Sequence, residues 1–195
     1  MRNLTLLGLT LALVLSACET GEKKSARITQ YFDLISLLDQ QAQLLYDAGA
    51  RVEKELMANG ELEQLLITPD SAGQLKAELK LFYDADINKL GLGDAYDTEE
   101  LPGINGGRKV INSAKKAGPN VRLIERDYQG ENLKQIRILV EDKNDIYTFE
   151  KEMLMDFEVV NGQAMLKTYS IVGKQDMVMK SELNFSLTGK LLLNP

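Results

Sequence analysis

Residues 121–193 most constrain what this chain can fold into, because apolar and polar side chains alternate there with a period of two. In the run Ile146 to Val160, Tyr147, Phe149, Met153, Met155, Phe157 and Val159 share one face, while Thr148, Glu150, Glu152, Asp156 and Glu158 share the other. Lys151 breaks the apolar face once. Only an extended strand places alternate side chains on opposite sides, so this face is buried and its reverse is wet. The same device marks Val121 to Asp127, Leu133 to Glu141, Gln163 to Val172 and Met177 to Leu193. Asn161-Gly162 fits a two-residue hairpin, which needs positive φ at both central positions. Five strands joined by short links predict an antiparallel meander with one apolar side.

Something must cover that side, and the N-terminal half supplies a candidate. Ile28, Phe32, Ile35, Leu38, Ala42, Leu45, Gly49, Val52 and Leu56 recur at steps of three or four. This spacing predicts one long amphipathic helix over 28–56, stopped by Asn59-Gly60. Its coiled-coil-like step also suits pairing with a helix of another protein or of a second copy. Thr68-Pro69-Asp70 reads as a helix start, continued by Leu75, Leu79, Phe82 and Ile87. Residues 91–120 hold the glycines of 91–107, Pro102 and a run of acids, and read as loop-rich, with Lys109 to Lys116 either a short helix or a ragged strand. The expectation is a single α+β domain over 27–195: a helical hairpin (27–90), a loop-rich stretch (91–120) and a curved antiparallel sheet of about five strands (121–195). Cystatin-like and NTF2-like folds offer a fold-level analogy.

The chain has no histidine and no tryptophan. Missing histidine removes the usual general base near neutral pH and every Ser-His or Cys-His arrangement. No cofactor is implied. With 29 acidic against 23 basic side chains, the chain repels phosphates, which excludes nucleic acid as a partner.

Arg2 is followed by an uncharged apolar run, Leu4 to Leu15, and then by Leu15-Ser16-Ala17-Cys18. The run is shorter than the about 20 apolar residues that span a bilayer. Leu15-Ser16-Ala17-Cys18 resembles the lipobox of bacterial lipoproteins. That resemblance implies a signal peptide over 1–17, cleavage before Cys18 and lipidation of its sulfur, hence a membrane partner through N-terminal acyl groups. It also accounts for the lone cysteine of the chain, and Glu19 after it implies an outer-membrane address facing the periplasm. Residues 18–26 then form a lipidated tether, in which Lys23-Lys24 reads as solvated spacer. The remainder resembles small uncharacterised lipoproteins of Bacteroidetes, a resemblance that carries no functional motif.

Four further groups invite chemistry. Asp84, Asp86 and Asn88 have the opening spacing of a calcium loop, although Lys89 stands where such a loop needs glycine. Asp94, Asp97, Glu99 and Glu100 crowd one stretch, and paired carboxylates serve acid-base hydrolysis, yet no tryptophan platform accompanies them. Gly103 to Gly107 before Arg108-Lys109 suggests a phosphate cradle without the P-loop ending. Met153, Met155, Met177 and Met179 could line a pocket for an apolar ligand or fill the space between sheet and helices. The sequence therefore points to a non-catalytic, lipid-anchored binding or assembly module of the envelope, with carriage of a lipid or small apolar ligand as the alternative and a carboxylate hydrolase below both.

Overall fold

The computed structural model describes residues 28–178 and 182–193. The leader, Cys18 and the rest of the tether, and Met179, lie outside these residues.

The first helix, α1 (Leu34–Asp47), begins where the Asp33 carboxylate accepts the Ser36 amide at 3.0 Å. It ends at Gly49, whose φ of 63° lets the Gly49 amide turn back to the Tyr46 carbonyl. Two strands follow, β1 (Arg51–Ala58) and β2 (Glu61–Ile67), then two short helices, α2 (Ala72–Glu78) and α3 (Lys80–Tyr83). Seven more strands run β3 (Tyr96–Pro102), β4 (Arg108–Ala114), β5 (Val121–Gln129), β6 (Asn132–Lys143), β7 (Tyr147–Val160), β8 (Gln163–Met177) and β9 (Leu183–Leu192). All nine form one antiparallel sheet in the order β2-β1-β9-β8-β7-β6-β5-β4-β3. The strands β3 to β9 are a continuous meander, and β9 closes against β1. The connection through α2 and α3 links β2 at one edge to β3 at the other.

This architecture corrects the expected long helical hairpin on a five-strand meander. Residues 51–67 are a strand hairpin, not the end of a helix and a connection; residues 96–102 are a strand in place of the expected loop, and residues 108–114 take the strand alternative. The physical reason for the first is local. Gly49 ends the helix, and Asn59-Gly60, with φ of 51° and 85°, is the two-residue turn between β1 and β2. In β1, Val52, Lys54, Leu56 and Ala58 point to the covered side and Glu53, Glu55 and Met57 are exposed. Val52 and Leu56 fit a helical step as well as a strand step, and Lys54 hid the alternation. In the second stretch β3 is an edge strand exposed from Asp97 to Pro102, so it has no apolar face to announce it. The start expected at Thr68 also moves, since Ser71 caps α2 by accepting the Gln74 amide.

The five strands expected from Val121 onward are present, with β8 running on to Met177. One face of the sheet carries the core. Leu34, Leu38, Ala42 and Leu45 of α1, with Leu75, Leu79 and Phe82, pack with Ile124, Ile136, Ile138, Met153, Met155, Tyr169 and Ile171. Each such large side chain stabilises the fold by about 1.5–3 kcal/mol on burial. Polar groups at this interface are matched. The Gln41 side chain donates to the Ala164 carbonyl at 2.9 Å and accepts the Leu166 amide at 2.7 Å, beside the register shift at Asp156/Phe157. Tyr169 donates to Glu78, which also pairs with Lys54 at 2.7 Å, and its ring meets Phe82 edge-on at 6.0 Å.

Candidate functional site

Because helices cover one face, the chemistry open to a partner lies on the other. Strand alternation and register place the outward residues in ladders across the sheet. One ladder runs Met57, Ser186, Val172, Glu152, Leu139 and Leu123, and the next runs Asn184, Lys174, Glu150 and Glu141. Together they floor an open groove of about 850 Å³ that reaches from the Asn59-Gly60 turn to Arg122. Its floor is apolar where Met57, Val172 and Leu139 lie; Val172 is 57% and Met57 44% exposed. For residues on the wet side of a sheet this is unusual, since strand alternation normally puts polar side chains there.

The rim is charged and largely self-paired. Arg137 donates to Glu152 and, at 3.0 Å, to Glu125, and these two hydrogen bonds raise the pKa of its guanidinium further. Arg122 approaches Glu141 at 3.8 Å. Lys174 is held by Glu182 at 2.7 Å; that bond raises the lysine pKa and, with a bond from Asn184, lowers that of Glu182. Glu150 faces Lys174 across the β7–β8 ladder. Lys151, which broke the apolar alternation, belongs to the covered face: its ammonium lies 5.9 Å from the Phe149 ring, burial lowers its pKa, and Asp84 opposes that effect.

The groups singled out from sequence lie elsewhere. Met153 and Met155 are fully buried in the core and Met177 is half-buried on β8; none of them lines the groove. Asn88 is spent holding the segment before α1, donating to the Tyr31 and Phe32 carbonyls at 3.2 and 2.9 Å and accepting the Tyr31 amide at 2.9 Å. Asp86 is buried and Asp84 exposed. Among the described residues no group of three or more His, Cys, Asp or Glu is arranged to hold a metal ion. Asp94 precedes β3, whereas Asp97, Glu99 and Glu100 are exposed on it, with Asp97 3.5 Å from Lys115 and Glu100 3.5 Å from Arg108. Gly103 to Gly107 is the β3–β4 link, with the Gly103 amide donating to Gly107 and the Gly107 amide to Ile104, which leaves neither for a phosphate.

The seam expected to offer 28–56 to a partner is consumed inside the protein, since Leu38, Ala42 and Leu45 are buried under the sheet. The residues missed are the apolar exceptions on the wet side, Met57, Leu139 and Val172. A count of outward apolar residues strand by strand would have found Leu139 and Val172; Met57 required β1 to be recognised first. Among the described residues no helix is long and apolar enough to cross a membrane. Comparison with protein-family models, with curated proteins and with solved structures finds no match.

Proposed function

We propose that this protein is a non-catalytic binding module tethered to the envelope membrane by acyl groups on Cys18, and that it receives another envelope component in the groove on the outer face of its sheet. The observation that carries the reading is the groove: about 850 Å³, floored by exposed Met57 and Val172, on the one broad face the helices leave open. Three glutamates, Glu141, Glu150 and Glu152, and three cations, Arg122, Lys151 and Lys174, border it, and of these Lys151 belongs to the covered face. The fitting partner presents an apolar side chain flanked by basic groups, because the outward side chains of the rim are net acidic and a matching charge pattern steers encounter. The lipobox resemblance supports the tether. Packing of α1 and the α2–α3 segment on the inner face buries Met153 and Met155, which supports a reading that uses the outer face.

Two measurements test the two parts. Metabolic labelling with a fatty-acid analogue should label the chain, and Cys18→Ser should abolish the label; an unlabelled chain refutes the anchor. A photo-cross-linking residue in place of Val172 should give one adduct of defined mass in the host, and Val172 is the position because it is the most exposed part of the floor. Glu150→Lys should abolish that adduct when introduced beside it. An adduct indifferent to Glu150→Lys, or none at all, refutes the groove as the docking surface.

A further inference from the structure

The two edges of the sheet are unlike. The β3 edge carries Asp97, Glu99, Glu100 and Pro102, the charges and proline that block edge pairing. By contrast β2 reads Glu-Leu-Glu-Gln-Leu-Leu-Ile, exposed from Glu61 to Leu66, with Leu62 54%, Leu65 49% and Leu66 59% exposed. A long edge with four apolar residues, no proline and two glutamates that sit at one end is a template for another strand.

The hairpin turn sets which of its backbone groups are free. Asn59 and Gly60 alone link the strands, so Ala58 and Glu61 form the hydrogen-bonded pair that closes the turn. Such pairs alternate along an antiparallel ladder, which makes Leu56/Glu63, Lys54/Leu65 and Val52/Ile67 the others. The amides and carbonyls of Leu62, Gln64 and Leu66 therefore point away from β1, out of the sheet.

We infer that β2 is a homodimerisation edge, pairing antiparallel with β2 of a second copy about a two-fold axis at Gln64. In that register Leu62 faces Leu66 of the second copy, Gln64 faces its own image and Leu66 faces Leu62. The three residues with outward backbone groups are thus matched to one another and exchange six hydrogen bonds. Side-chain chemistry selects the same register: Glu61 meets Ile67 and Glu63 meets Leu65, so no glutamate stands directly opposite another. The nearest like charges are the two Glu63 carboxylates on the diagonal, exposed to solvent, and salt screens them. The guarded β3 edge prevents continuation, so the assembly closes at two copies. This inference is independent of what the outer groove binds.

The full chain carrying Gln64→Cys tests it, since the two cysteines of the register would lie about 5.5 Å apart between Cα atoms, within disulfide reach. Mild oxidation in the host membrane should give a disulfide-linked species of twice the chain mass on non-reducing gels. The unaltered chain controls for Cys18, and Glu99→Cys on the β3 edge should give none. A monomer, or an adduct of Gln64→Cys with a different protein, overturns the inference. In detergent, light scattering of the full chain should give a dimer, and Gln64→Pro should yield monomer with unchanged circular dichroism. That substitution removes an outward amide and leaves the β1–β2 bonds in place. A dimer that survives Gln64→Pro also overturns it.

Discussion

Gln41 is the sharpest single test of how the helical layer is fastened to the sheet. Its side-chain amide spans two backbone groups of β8, donating to the Ala164 carbonyl at 2.9 Å and accepting from the Leu166 amide at 2.7 Å. Leu166 is 1% and Gln41 2% exposed, so water cannot replace the bond to the Leu166 amide, while the Ala164 carbonyl is half-buried. Gln41→Leu keeps the bulk of the side chain and removes both partners. Leaving a buried backbone group unpaired costs about 1–3 kcal/mol, so the loss should be about 2–4 kcal/mol, a large share of the about 5–15 kcal/mol of a typical domain. Gln41→Glu divides the effect by pH. The protonated carboxyl can accept from Leu166 and donate to Ala164, whereas the carboxylate cannot donate and is a buried charge facing a carbonyl. Its folded pKa must therefore rise above the unfolded value of about 4.3. Between the two values the folded state binds more protons, so stability is intact below the unfolded pKa and falls as pH rises, by about 1.4 kcal/mol per unit, until the folded pKa is reached. Urea unfolding of the three proteins between pH 4 and 8, each compared with the unaltered chain at the same pH, reads this directly. A Gln41→Glu deficit that stays flat across that range, or a Gln41→Leu loss under about 0.5 kcal/mol, well below the cost of one unpaired buried group, would refute the bridge.

Three other perturbations probe different parts of the molecule. A Cβ at Gly189 would sit 2.0 Å from Cζ of Tyr169, and that ring is fixed between Phe82 and Glu78; Gly189→Ala should cost about 2–3 kcal/mol and lower Tm by about 5–10 °C in thermal unfolding. At Asp39, burial pushes the carboxyl pKa up, but hydrogen bonds from Lys76 and Tyr83, each 2.8 Å, hold it below the usual value. Tyr83→Phe should move it upward in a carbon-detected NMR titration, and the acid-side stability this group supplies, present above the unfolded pKa and lost as pH falls through the folded one, should shrink. Burial lowers the pKa of the Arg126 guanidinium, an effect that Tyr128 opposes; the group donates to Asn112 at 3.0 Å, has the Phe32 ring 4.5 Å away and leaves Nε unpaired. Replacing so poorly matched a cation by methionine should leave Tm unchanged or raise it, because desolvation offsets much of what the charge gains.

The part of this fold legible in sequence is the part whose faces differ most. Strands β5 to β8 alternate between a fully buried and a wet side, and their ladders are where the period-two pattern is clean. Strands β1 to β4 lack that contrast for separate reasons. In β1 Lys54 points inward to reach Glu78, which erases one apolar position, and β2 and β3 are edges with nothing to bury. The dipeptide Asn-Gly shows the same limit: at 161–162 and at 59–60 it makes the same left-handed turn, with φ near 50° and 80° at both. Only the flanking pattern distinguishes a hairpin from a helix stop, and a helix of the right spacing precedes the second case. The groove was illegible for another reason. It depends on which outward residues of six strands fall side by side, and register is set by turns and bulges, not by any one strand's pattern.

The two proposed surfaces meet on the outer face, and this links assembly to binding. Met57, at one end of the groove floor, pairs with Leu62 of β2, and in the dimer Leu62 pairs in turn with Leu66 of the second copy. The outward faces of the two copies would then join at β2, where Met57 and Leu62 of one copy continue onto Leu66 of the other, and the two grooves would lie on one continuous outer face with Ser186, Gln64 and Glu53 as polar breaks in it. A partner long enough to cross the two-fold would be held twice, and linking two sites raises avidity through effective concentration without any new contact. If the surfaces act together in this way, Gln64→Pro should weaken recovery of the Val172 adduct although it touches no groove residue. If adduct yield is the same in monomer and dimer, the groove is a complete site within one copy and the edge serves assembly alone.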